Sequence, residues 1–282
     1  MGDSPTTISS HELCRLVGTS SCPLIFDVRR EEAYAAAADL IPTAKWRDHR
    51  LADVWAKDVP GGCGVVVYCA HGRQVSQSTA ALLRSFGIRA RYLEGGIAAY
   101  RESEGPLIGK TGLPNRTEDR PSRWVTRERP KIDRIACPWF VRRFVDRDAV
   151  IHFVSPDWVR EAAVELDAIP FDIPDTAFSH DGELCSFDAF LARFGVADPA
   201  LARLAEIVRG ADTGRLDLAP QAAGLLAVSL GLSAIEGDDL AMLEKGLVVY
   251  DALYGWCRFA AAESHGWPPV QTSAKRATGT AR

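Results

Sequence analysis

One stretch constrains this chain more than any other. Val65-Val66-Val67-Tyr68 is a short β-branched run that reads as a buried strand. The segment Cys69-Ala-His-Gly-Arg-Gln-Val-Ser76 follows it directly, and Gln77 to Phe86 then reads as a helix stopped by Gly87. A cysteine at a strand end, on a turn that opens a helix, lies where backbone N–H groups converge. Such a place favours an anion and stabilises a thiolate. Cys69 is therefore the candidate working atom.

The residues around this unit extend the pattern. Ile8 to Leu13 reads as a short strand and a helix, with Ser9 and Glu12 spaced as a capping box. Leu24 to Val28 reads as a strand, Glu31 to Ala38 as an alanine-rich helix, Arg50 to Ala56 as another helix and Ala90 to Leu93 as a strand. Strands alternating with helices predict an α/β fold: a doubly wound, mainly parallel sheet with helices on both faces. In such sheets ligands sit at the carboxyl ends of strands, where Cys69 falls.

Several of these segments together resemble the rhodanese family, in its usual order. They are Phe26-Asp27-Val28-Arg29, Ile41-Pro-Thr-Ala44, Tyr68-Cys69-x-x-Gly72 and Tyr92-Leu-Glu-Gly-Gly-Ile97 with Tyr100. The resemblance covers about residues 8 to 104 and implies a sulfurtransferase. Cys69 would take a sulfane sulfur from a small-molecule donor, hold it as a persulfide, and pass it to a thiol or cyanide, with no cofactor required. The residues suit that chemistry. A helix N-terminus and nearby Arg73 would lower the thiol pKa, and turned-in N–H groups of Ala70, His71, Gly72, Arg73, Gln74 and Val75 would nest the persulfide. Gly72 lets the loop close, and Arg73 would steer an anionic donor. His71 would tune the thiolate or stand as a solvent-facing residue. Asp27 and Arg29 read as a structural pair beside the loop.

Two departures stand out. Many active rhodaneses carry arginine where this chain has Gln74, which points to a less anionic donor than thiosulfate. Before Ile41 the chain reads Ala38-Asp39-Leu40 in place of the usual Gly-His. Cysteine phosphatases need arginine where Val75 stands, so phosphoryl transfer would lose its main transition-state stabiliser. The bland alternative for Cys69 is a packed cysteine in a non-catalytic module.

At 282 residues the chain has room for two domains. Gly105 to Pro121 mixes glycine, proline and polar residues without a period, which sets the expected boundaries: a first domain over 1–105, a linker over 106–121, a second domain over 122–267 and a flexible tail over 268–282. Net charge −4 argues against broad nucleic-acid binding. No apolar run is long enough for a membrane span, and the N-terminus lacks a signal pattern. Seven scattered cysteines without a C-x-x-C pair fit a reducing cytoplasm and exclude a zinc finger.

The second half predicts a mostly helical α+β domain. Strands are expected at Arg123–Thr126 and Val150–Val154, with a strand end at Phe171–Pro174. Helices are expected from Asp133 (as cap) to Phe144, Asp157 to Leu166, Phe187 to Phe194 capped by Ser186, Pro199 to Val208, Pro220 to Leu230 and Asp238 to Ser264. In the last of these Leu243, Leu247, Tyr250, Tyr254 and Cys257 share one face, as core or as a partner-helix interface. Arg129-Pro-Lys-Ile-Asp-Arg-Ile-Ala-Cys-Pro-Trp139, Cys185-Ser-Phe-Asp188, Ile207-Val-Arg-Gly-Ala-Asp212 and Tyr250-Asp-Ala-Leu-Tyr254 resemble the C-terminal domain of the chromate resistance ChrB family. That resemblance implies an association with chromate resistance, which is a phenotype and not a reaction.

Two clusters in this half carry alternatives. Arg127, Arg129, Lys131 and Arg134 form either an oxyanion site, for chromate or sulfate, or a solvated ion-paired face. His180, Glu183, Cys185 and Asp188, with Asp172 upstream, are metal-binding residue types without a specific spacing; polar residues satisfied at a turn are the competing reading. Asp133 and Cys137 fall one turn apart on one helix face. Cys137 either accepts sulfur from Cys69 or packs. Three functions follow: a sulfurtransferase, a non-catalytic chromate or redox sensor, or a metal-dependent enzyme in the second half. Assembly as a homo-oligomer is compatible with each.

Overall fold

The structure is a computed structural model and describes residues 5–114 and 120–263. In chain order the first half forms β1 (Thr7–Ile8), α1 (Ser10–Leu16), β2 (Leu24–Asp27), α2 (Glu31–Ala36), β3 (Asp39–Leu40), β4 (Lys45–Trp46), α3 (Ala52–Trp55), β5 (Gly64–Tyr68), α4 (Gln74–Ser85), β6 (Arg89–Leu93), α5 (Gly96–Glu102) and β7 (Ile108–Gly109). Five strands make a sheet in the order β1-β6-β5-β2-β4, with every pairing parallel. Alternation along β5 explains why both faces are covered. Val66 and Tyr68 join one apolar cluster, while Val65, Val67 and Cys69 join another beneath α3 and α4. The doubly wound parallel sheet expected from the sequence is the fold observed.

Local differences have local causes. The Ser9 hydroxyl accepts from Glu12 N–H at 3.1 Å, as a cap should. The helix expected over 50–56 is broken into 3-10 turns at either side of α3. Helix α4 starts earlier than its apolar pattern does, at Gln74 rather than Gln77, because polar residues fill its first turn. Part of the segment read as linker is built into the fold. β7 pairs antiparallel with β3, Lys110 N–H donates to Ala38 O, and its ammonium donates to Tyr34 O.

The second half forms β8 (Arg123–Arg127), α6 (Asp133–Phe140), β9 (Val150–Val154), α7 (Val159–Glu165), β10 (Ile169–Pro170), α8 (Ser186–Phe194), α9 (Pro199–Asp212), α10 (Ala222–Ile235) and α11 (Asp239–Gly255). A three-stranded parallel sheet in the order β10-β8-β9 is outweighed by helices, as expected. α6 and α11 each run on into a π-helical turn, at Val141–Val145 and Trp256–Ala260. The strand placed at Phe171–Pro174 is instead β10, just upstream, and Asp172 takes a left-handed φ of 54° in the loop beyond it. Asp133 is the first helical residue of α6, not its cap; that position is Ile132, also at positive φ. Likewise Cys185, not Ser186, caps α8, with Asp188 reaching back to the Cys185 N–H at 3.0 Å. The expected tail over 268–282 lies outside the described residues.

The face of α11 that carries Leu243, Leu247, Tyr250, Tyr254 and Cys257 is core. Trp139 of α6 stacks between Tyr250 and Tyr254 at 6.2 and 5.4 Å, and Trp124 packs among Phe171, Phe178, Phe190 and Phe194. This aromatic core is continuous with the first half, joining Ile8, Leu13, Tyr68 and Tyr100 in one buried cluster.

Candidate functional site

Cys69 directly follows β5, with 8% of its surface exposed. Its loop is shaped by glycines on two segments. Gly72 adopts φ +63° and Gly96 φ +62°. A Cβ on Gly96 would lie 2.3 Å from Cys69 O, and one on Gly72 would lie 2.5 Å from Leu93 O. Only glycine fits such a left-handed, crowded backbone. The second segment then closes over the first: Ile97 N–H donates to Cys69 O at 3.0 Å and Ala98 N–H to Ala70 O at 3.1 Å. Gln77 donates from its side chain to Gly72 O at 3.0 Å. The loop is thereby held by α4 on one side and α5 on the other.

These contacts turn donors toward the sulfur. Cys69 Sγ lies 3.2 Å from Ser76 Oγ. Burial pushes the thiol pKa up, but the Ser76 hydroxyl and the backbone N–H groups of Ser76, His71 and Arg73 outweigh it, and the net direction is down. Arg73 thus acts through its main chain; its side chain is exposed, as are those of His71 and Gln74. Among the thiols with shifted pKa values, Cys69 alone moves down. Burial drives Cys14, Cys22, Cys137, Cys185 and Cys257 upward, Cys22 and Cys257 to about 11. Cys137 is fully buried beside Trp139, so it packs and presents no thiol to Cys69.

Asp27 and Arg29 stand behind the loop as a buried pair. Arg29 donates from Nε and a terminal nitrogen to Asp27 at 2.9 and 2.5 Å, and Tyr68 Oη donates to the same carboxylate at 2.9 Å. Arg29 O accepts from the Trp46 indole. The pair ties the end of β5 to β2 and β4 without touching the sulfur.

In the second half the four basic residues do not form one cradle. Arg127 and Arg134 both reach Asp172, at 2.6 and 3.2 Å. Arg129 is exposed and uses its main-chain N–H on Asp239, while Lys131 is half-buried. Of the residues expected around a metal, His180 and Asp172 meet while Glu183, Cys185 and Asp188 stand apart. Glu183 is solvent-exposed, and Cys185 and Asp188 serve the α8 cap. His180 instead meets Asp133, Asp212 and Asp172 at 3.2, 3.3 and 3.4 Å. In the sequence Asp133 stands as a helix residue and Asp212 as part of a motif. Their signal was the convergence of acidic residues from distant segments, which spacing along the chain does not encode.

Strands β2, β4, β5 and β6 and the glycine-closed cysteine loop lie within residues 9–103, which match the family model of the Rhodanese-like domain. The family model of the ChrB C-terminal domain matches residues 124–257. Protein ChrB of Cupriavidus metallidurans is 36% identical over 156 residues, 54% of this chain and 47% of that protein. The chain thus spans about half the length of this curated relative. Among solved structures, the rhodanese-like domain of an Anabaena protein is 26% identical, covering 42% of this chain and 90% of that one with a TM-score of 0.34. A rhodanese-like domain protein of Staphylococcus aureus is 27% identical, covering 34% and 90%, with a TM-score of 0.31. Among the described residues no helix is long and apolar enough to cross a membrane.

Proposed function

We propose that the chain is a cytoplasmic sulfurtransferase that works through a persulfide on Cys69. The carrying observation is the convergence of Ser76 Oγ and three backbone N–H groups on a thiol that they hold below its usual pKa. The Cys69 thiolate attacks the outer sulfur of a donor. The donor's own S–S bond breaks, its leaving group departs with the electron pair, and Cys69 keeps the sulfur as an anionic persulfide. An acceptor thiolate then attacks that outer sulfur and Cys69 leaves as thiolate, so no net redox change occurs. The same donors that hold the thiolate would hold the persulfide. Gln74 at the open end of the loop favours a persulfide donor over thiosulfate, since it adds no charge. The ChrB-like second half supports a setting of chromate or sulfur stress.

The test is mass spectrometry of the purified chain after incubation with thiosulfate or a low-molecular-weight persulfide. One added sulfur on the Cys69 peptide is expected, with none in Cys69→Ser. No adduct with either donor overturns the proposal. Gln74 also favours a second reading, a sensor that binds without turnover. It requires a chromate-dependent change in assembly or partner binding that survives Cys69→Ser.

A further inference from the structure

The second half holds a group of side chains that sulfur transfer does not use. Asp133 opens α6, Asp212 closes α9, and His180 sits on the turn between β10 and α8. The Asp133 and Asp212 side chains are largely buried, yet both face the imidazole, with Nε2 at 3.2 and 3.3 Å from their nearest oxygens. One donor atom from each of the three lies within 4.8 Å of the others. Bonds of about 2.0–2.2 Å to a first-row divalent ion put its ligand atoms roughly 3–4 Å apart, so this spacing accepts an ion with little movement.

Charge and shape point the same way. Asp172 completes the wall, but its carboxylate is already matched by Arg127, Arg134 and the Ser186 hydroxyl. Among the described residues that leaves one imidazole facing the carboxylates of Asp133 and Asp212. Independently of the acids, His180 opens outward. It borders a cavity of about 750 Å³ lined also by Pro174, Ser179, Asp181, Leu184 and Asp188.

We propose that Asp133, His180 and Asp212 form a site for a divalent first-row cation, next to the cavity that His180 borders. One imidazole with two carboxylates selects ions such as Zn²⁺, Mn²⁺ or Fe²⁺ over alkaline-earth ions, which prefer all-oxygen shells. Cys137 and Cys185 are not among the grouped donor atoms.

The experiment uses the full chain stripped with a chelator. Zn²⁺ alone is added in equilibrium dialysis, and Co²⁺ alone is followed by absorption. One equivalent per chain is expected, with a cobalt spectrum free of thiolate charge-transfer. His180→Ala, at a half-exposed side chain, and Asp212→Asn should each weaken binding roughly tenfold or more, with unchanged circular dichroism and unchanged Cys69 alkylation. Failure of the stripped wild type to bind overturns the site. So does a thiolate band, or His180→Ala binding like wild type.

Discussion

At Cys69 the question is what lowers the pKa of a nearly buried thiol. Burial alone would raise it, as it does for the other buried thiols. The one side-chain donor in contact is Ser76 Oγ, at 3.2 Å. Because the folded thiol sits below its ordinary value, the thiolate persists as pH falls below that value and is lost only through the folded pKa. Alkylation of Cys69 should therefore titrate with a midpoint below that of an ordinary cysteine, about 8.5. Ser76→Ala removes one hydrogen bond to a charged acceptor, of about 1.5 kcal/mol, so the midpoint should rise by about one unit. Iodoacetamide rates across pH measure both, and an unmoved midpoint would mean that the backbone donors suffice. The loop makes a second demand. Gly96→Ala places a Cβ against Cys69 O at positive φ, which costs on the order of 1–3 kcal/mol and shifts the sulfur. Its adduct yield should fall sharply while far-ultraviolet circular dichroism stays native; full sulfur loading would sink this account.

Among the elements, β2, β4 and β5 are joined by the Asp27–Arg29 pair and Tyr68 as well as by their ladders. Removing one partner strands a buried charge, so Arg29→Ala should destabilise by about 3–5 kcal/mol, read as a lower denaturant midpoint at unchanged slope. A loss below 1 kcal/mol would show that water reaches Asp27. Elements of this kind were legible in the sequence where their cause is local. The β-branched run, the cysteine turn and the apolar face of α11 each declare themselves within a few turns of chain. What was not legible arises from contacts across the chain. The Cys185 cap looks like a free cysteine until Asp188 folds back on it. His180 looks like a turn residue beside Glu183 until α6 and α9 bring Asp133 and Asp212 to it. The residues after Gly105 look like a linker because a two-residue strand such as β7 has no periodicity to read.

For the whole molecule, the boundary in sequence is not a boundary in packing. Gly18, after α1, lies against the second half: a Cβ there would meet Phe144 Cζ at 2.6 Å and Tyr254 Cε1 at 2.7 Å. Arg258, beyond α11, donates back to Val17 O and Cys14 O at 3.0 and 2.6 Å, and Thr43 N–H donates to Phe144 O at 2.9 Å. Those aromatic rings belong to the same buried cluster as Trp139, so they have little room to yield. The two halves should therefore unfold together. Near-ultraviolet circular dichroism reports buried tryptophans of both halves, Trp55 in the first and Trp124 and Trp139 in the second, and Cys69 accessibility reports the first alone; both should follow one thermal transition. Gly18→Ala adds overpacking and a strained φ of +79° at the junction, on the order of 2–4 kcal/mol. It should lower both signals together, though the substitution lies in neither aromatic core nor cysteine loop. Two separated transitions in the wild type would show the halves to be independent, and the shared core would then stabilise neither.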